Sequence, residues 1–202
     1  MKATPSIFLS ASVPIEGRLG SEDYDPFLIR EAVSALIEVI LGRYHLVWGG
    51  QPAITPMIWE AAKRYDVSYP DVVTLYQSAY FKNNYPKENI KFGNFVETEA
   101  VPGDRSASLE IMRRHMLTRH NFVGAVFIGG MEGIAEEYAL FREKNPNAFT
   151  LPIPSPGGYS RHLFEQSPWL RPELATAVDF TFWFYELLDV DMSIIRQRKL
   201  ER

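Results

Sequence analysis

Short apolar runs alternate with segments of helical periodicity along nearly the whole chain, and this constrains the fold more than any other feature. Strand-like runs fall at 7–13, 46–48, 72–77, 94–98, 124–128 and 149–153. Helical spacing falls at 27–41, 55–65, 104–118 and 132–144, with a short helix over 159–164 and a last one over 171–188. Gly42 stops the first helix. Thr55 reads as N-cap of the second with Pro56 at its first position, and Asp104 or Ser106 caps the helix over 104–118. Segments 14–26 and 81–93 are polar and read as loops, and the charged end 196–202 reads as frayed. This alternation predicts the α/β class, a mostly parallel sheet with helices on both faces, plus an aromatic C-terminal helix. Right-handed crossovers then bring every strand's C-terminal end to one edge, where such sheets bind ligands.

Ser10, Gly49, Gly129 and Ser155 all fall at strand ends and so at that edge. Two of these ends carry glycine pairs ahead of a helical pattern: Gly49-Gly50-Gln51 and Gly129-Gly130-Met131-Glu132-Gly133. Glycine permits a tight turn and a close approach by a ligand, and the helix that follows aims free N–H groups at whatever sits there. Together they point to a nucleotide or another phosphate-bearing molecule. The plainer alternative is turn chemistry alone. Ser10-Ala11-Ser12 offers small side chains and hydroxyls at the crevice floor, and the Gln51 amide suits a base or a ribose. Ser155, beside Gly157-Gly158, is either a contact to the far side of the ligand or part of an ordinary loop.

A chain of 202 residues, 46% apolar, suits a single domain over 1–202, with a core about 6–165 and a helical extension about 169–202. The absence of cysteine excludes disulfides, thiolate metal sites and a cysteine nucleophile. A net charge of −4 argues against nucleic acid as a partner. No apolar run reaches the roughly 20 residues of a spanning helix, and no signal peptide is visible, so the expectation is a cytoplasmic protein without membrane contact. His115 and His120 lie five apart with no His-Glu-x-x-His pattern, so no metal is expected, and no cofactor either. Ser10 and Ser12 lack a nucleophile elbow.

Glu137 borders the apolar stripe of Ile134, Tyr138 and Phe141, which suits a half-buried carboxylate at the crevice as well as an ordinary surface one. Arg105 stands at a helix start and is either a contact for an anionic ligand or a solvated charge. Arg113 and Arg114 point about 100° apart on a helix, so one faces the crevice while the other is solvated. Phe180, Phe182, Trp183, Phe184 and Tyr185 cannot all face one core, which points to a homodimer interface.

Three stretches carry a family likeness: Phe8-Leu9-Ser10-Ala11-Ser12, Val47-Trp48-Gly49-Gly50-Gln51-Pro52-Ala53-Ile54, and the run from Val126 through Gly129-Gly130-Met131-Glu132-Gly133 to Glu137. Over roughly residues 6 to 165 the chain resembles the SLOG superfamily, which includes the Lonely Guy cytokinin-activating hydrolases, the DNA-processing protein A family and nucleotide-sensing domains of bacterial defence systems. It looks most like a bacterial branch grouped with antiviral effectors. The resemblance implies a Rossmann-like fold, a nucleotide-derived ligand and a dimer, with a separate effector protein as a further partner. Lonely Guy enzymes carry Gly-Gly-x-Gly-Thr-x-x-Glu and an upstream arginine. Gly129, Gly130, Gly133 and Glu137 match the first, and Arg113 the second, 16 residues before the glycine pair. The resemblance implies for Arg113 and Glu137 either ligand contacts or catalysis of N-glycosidic cleavage. Two departures count against the hydrolase: Met131-Glu132 lengthens the glycine motif by one residue, and Ile134 replaces the threonine. A ligand sensor in antiviral signalling is therefore the first reading, a hydrolase the second, and a DNA-binding relative is disfavoured by the charge.

Overall fold

The computed structural model describes residues 4–65, 72–191, 193, 194 and 196, with backbone alone for residues 90 and 91. Of the charged end expected to fray, only Arg196 lies within the described residues. Six strands form one sheet: β1 (Ser6–Ser12), β2 (His45–Trp48), β3 (Val73–Ser78), β4 (Phe95–Thr98), β5 (Phe122–Gly129) and β6 (Phe149–Ile153). Their order is β4-β3-β2-β1-β5-β6 and every pairing is parallel, so the expected Rossmann-like α/β fold is present.

The six α-helices among the described residues are α1 (Pro26–Ile40), α2 (Thr55–Arg64), α3 (Arg105–Thr118), α4 (Glu132–Lys144), α5 (Tyr159–Glu165) and α6 (Phe180–Leu187). The period-2 alternation of β1 sorts the layers. Ile7, Leu9 and Ala11 enter the core that holds α1, α2 and α6, while Phe8 enters the core that holds α3, α4 and α5. Phe8 stacks on Phe141 with centroids 5.9 Å apart and meets Phe122 and Phe127 edge-on. By the same alternation Ser10 faces the α3–α4 side. The chain leaves β1 toward one face and β5 toward the other, so the β1–β5 junction is the topological switch point.

Local chemistry sets several boundaries. Asp25 caps α1 by accepting from Phe27 N and Leu28 N. Asp104, rather than Ser106, caps α3 by accepting from Ala107 N. Thr55 is not the cap of α2: Ile54 holds that place in a helical conformation, and the Thr55 hydroxyl donates to the Gln51 carbonyl at 3.0 Å. The chain over 171–188 is not one helix. A 3₁₀ turn over Pro172–Thr176 ends at extended Ala177, and Asp179 caps a fresh start by accepting from Phe182 N. The segment read as an open loop over 81–93 instead contains two 3₁₀ turns, Ala79–Asn84 and Lys87–Lys91. In α6 Phe180, Trp183 and Phe184 are buried against α1, whereas Phe182 is half exposed. No helix among the described residues is long and apolar enough to cross a membrane.

Candidate functional site

The two glycine bends behave differently. After β2, Gly50 takes a positive φ of 71°, and a Cβ there would run into the Gln77 side chain. Gln77, buried on β3, donates through Nε2 to the Gly50 carbonyl at 2.5 Å and fixes the bend. The Gln51 amide oxygen accepts from Ala53 N at 2.8 Å, so it shapes its own loop.

After β5, the glycine amides are already engaged. Gly129 N donates to the Ser160 hydroxyl at 3.1 Å and Gly130 N to the Ser12 carbonyl at 2.8 Å. Gly130 O accepts from Tyr159 N at 2.9 Å. The pair therefore stitches β5 to β1 and to the start of α5, and neither glycine lines the cavity described next. Glu132 and Ser155 also lie outside it.

A cavity of about 350 Å³ opens at the C-terminal ends of β1, β2 and β3, between α3 and the start of α4. It gathers Ser10, Ala11 and Ser12 from β1, Gly49, Gly50 and Gln51 from the first bend, Arg105 and Arg113 from α3, and Met131, Gly133 and Glu137 from the second bend and α4. On its wall Glu137 accepts from the Ser10 hydroxyl at 2.5 Å and from Arg113 Nε at 3.3 Å. Arg113 also pairs with Glu136 through a second guanidinium nitrogen. Arg113 is buried while Arg114 is exposed and pairs with Glu110 at 2.8 Å, so the 100° offset resolves toward Arg113. A carboxylate gripped by a guanidinium and a hydroxyl is an ordered acceptor. It suits hydroxyl donors on a guest. Ile134 puts an apolar side chain on the same wall.

Across the mouth, Arg18 from the β1–α1 loop donates through Nε to Glu132 at 3.0 Å. That bond, first, and the Glu132 backbone N–H, second, hold the Glu132 carboxyl below its ordinary range. Ile15 N donates to Met131 Sδ at 3.3 Å and fastens the same loop. Arg105 makes no ion pair among the described residues, though its charge also helps hold the Glu132 carboxyl low; its guanidinium lies 5.8 Å from the Phe81 ring centroid.

The sequence reading missed Arg18, Gln77, Phe81, Asn84, Leu109 and Met112 in the lining. Leu109 and Met112 were legible, because they share a helical stripe with Arg105 and Arg113. Gln77 carried the signal of a polar residue inside an apolar strand. Arg18, Phe81 and Asn84 sit on irregular backbone and carried none.

A family model described as the SLOG cluster3 family matches residues 21–188. The match begins after β1, so the Phe8–Ser12 stretch of the expected likeness lies outside it, and it runs past the expected end at 165 to take in α6. No curated protein matches the chain.

Proposed function

From the premise that the chain belongs to the SLOG cluster3 family, we propose that it binds a nucleotide-derived small molecule in the β1–β2–α3–α4 cavity as a sensor rather than a hydrolase. Family membership by itself suggests nucleotide-related binding or processing. The observation that carries the reading is the Ser10–Glu137–Arg113 network on the wall of a cavity at the sheet's switch point. Ribose hydroxyls donate to Glu137, and Ser12 and the Gln51 loop contact the rest of the guest. Ile134 argues for binding without turnover, because it removes a hydroxyl that would meet phosphate in the related enzymes. A homodimer, with half-exposed Phe182 at its surface, and a separate effector in antiviral signalling complete the proposal.

The second reading, N-glycosidic hydrolysis, is favoured by one observation: Arg113 and Glu137 meet in the same cavity. One experiment separates the two. The full chain is incubated with nucleoside monophosphates and with cyclic nucleotides derived from NAD, while thermal unfolding and base release are followed. A ligand at 100 times its Kd raises stability by about 2.7 kcal/mol. Stabilisation without base release supports the sensor. Base release that Glu137→Ala abolishes supports the hydrolase. Neither effect with any of these compounds refutes both.

A further inference from the structure

Three arginines line the cavity, and two are engaged by carboxylates of the protein. Arg18 is taken by Glu132, and Arg113 by Glu137 and Glu136. Arg105 is the one lining arginine that makes no ion pair among the described residues, and it is exposed. Its contact is the face of Phe81, itself a lining residue. A guanidinium on an aromatic face keeps its fork of donors free for a second partner.

The start of α4 is the other place an anion would be sought, since a helix N-terminus favours negative charge. Glu132 already stands there and already holds Arg18. A phosphate at that point meets like charge and competes for an engaged cation. The Ser10–Glu137 wall is closed to anions for the same reason, since its acceptor is a carboxylate. Arg105, Leu109, Met112 and Arg113 all line the cavity from α3. Their spacing of i, i+4, i+7 and i+8 makes one stripe, and eight residues of helix separate the two arginines by about 12 Å. The stripe is cationic and unpaired at one end, apolar in the middle, and neutralised at the other.

We propose that the ligand lies along α3 with its phosphoryl end on Arg105 and its hydroxyl-bearing end on Ser10 and Glu137, leaving the start of α4 to Glu132. The assignment of the hydroxyl end rests on the nucleotide reading above; the assignment of the anion to Arg105 does not. The geometry selects an extended guest whose phosphate lies far from the sugar edge that meets Glu137. It places the anion away from the bend whose glycine amides are engaged.

The test uses the full chain and inorganic pyrophosphate as the probe. Side-chain NMR of arginine Nε–Hε groups follows a titration to about 20 mM, in the millimolar range of a weak contact. The Arg105 signal shifts saturably. Arg105→Gln weakens pyrophosphate at least tenfold, while Arg105→Lys, which keeps the charge but loses the fork, weakens it less. Glu132→Gln, which removes a carboxylate that Arg105 feels, tightens binding by no more than about threefold. No saturable shift at Arg105 overturns the proposal. So does a shift at Arg18 together with tenfold tighter binding by Glu132→Gln, which puts the anion at α4. If pyrophosphate reads out Arg105 but no nucleoside or nucleotide binds, the nucleotide reading and the hydroxyl end fall while the anion assignment stands.

Discussion

Gly158 is where a single methyl group tests the packing that supports the site. It stands ahead of α5 at φ 70° and ψ −167°, a conformation open essentially to glycine alone. A Cβ there would lie 2.6 Å from Gly129 C and 2.8 Å from Gly129 Cα. These are backbone atoms with little freedom to yield, because Gly129 N is bonded to Ser160 and Gly130 N to the Ser12 carbonyl. Backbone strain costs about 1–3 kcal/mol, and forcing an extra carbon into a packed junction costs about 1–3 kcal/mol more. Gly158→Ala is therefore expected to lose about 2–6 kcal/mol. Gly17 supplies the control: its φ is 82° but nothing lies within 4 Å of its would-be Cβ. Gly17→Ala carries only the backbone term, about 1–2 kcal/mol. Urea unfolding of both variants and the parent, checked for a constant m-value, gives the difference directly. At roughly 2–4 °C per kcal/mol for a chain this size, thermal midpoints separate visibly as well. Equal losses in the two variants would refute the claim that the Gly158–Gly129 contact is tight.

Other outcomes follow from the same geometry. Ser10→Ala removes a hydrogen bond to a charged acceptor and is expected to cost about 1–2 kcal/mol, with Arg113 still gripping Glu137; chemical denaturation reads it. Phe8→Ala empties a fully buried ring site among Phe122, Phe127 and Phe141 and is expected to cost about 3–5 kcal/mol by the same method. His120, behind the opposite edge of the sheet, is pulled down to about 4, by burial first and then by His45 and Arg119. Its ring nitrogen lies 2.8 Å from the Tyr76 hydroxyl. The unfolded chain thus takes up this proton near pH 6.5 and the folded one only near 4. Stability from this group is intact above pH 6.5 and declines as pH falls toward 4. Urea midpoints at pH 7, 5.5 and 4.5 should fall less steeply for His120→Gln than for the parent; identical slopes would contradict the assignment.

The strands and their ends were legible because apolar runs stop sharply at glycine, serine or proline, as at Trp48-Gly49 and Ile153-Pro154. The lining from β1 and the first bend followed from that, whereas Arg113 on α3 came from the family resemblance. Three things were not legible. The role of Gly129 turned on Ser160, a hydroxyl 31 residues away, and that of Gly130 on the Ser12 carbonyl, approaches that only the fold determines. The break before α6 turned on extended Ala177 and on Asp179 accepting from Phe182 N, which start the aromatic run as a fresh helix instead of continuing one from 171. The residues from 79 to 91 alternate polar and aromatic side chains without a period, so nothing in them announced that Phe81 and Asn84 face the cavity.

The seam that joins Ser12, Gly130, Tyr159 and Asp23 has a mechanical consequence. Each backbone group there answers another across a separate segment, so that side of the opening works as a fixed jaw. The facing side is built of two short 3₁₀ helices, the first with outward residues, such as Tyr80 and Lys82, that are exposed. Any widening needed to admit or release a guest falls to that compliant jaw. Amide exchange should accordingly be slow at Gly129 and Gly130 and fast between 79 and 89, with or without a guest in place.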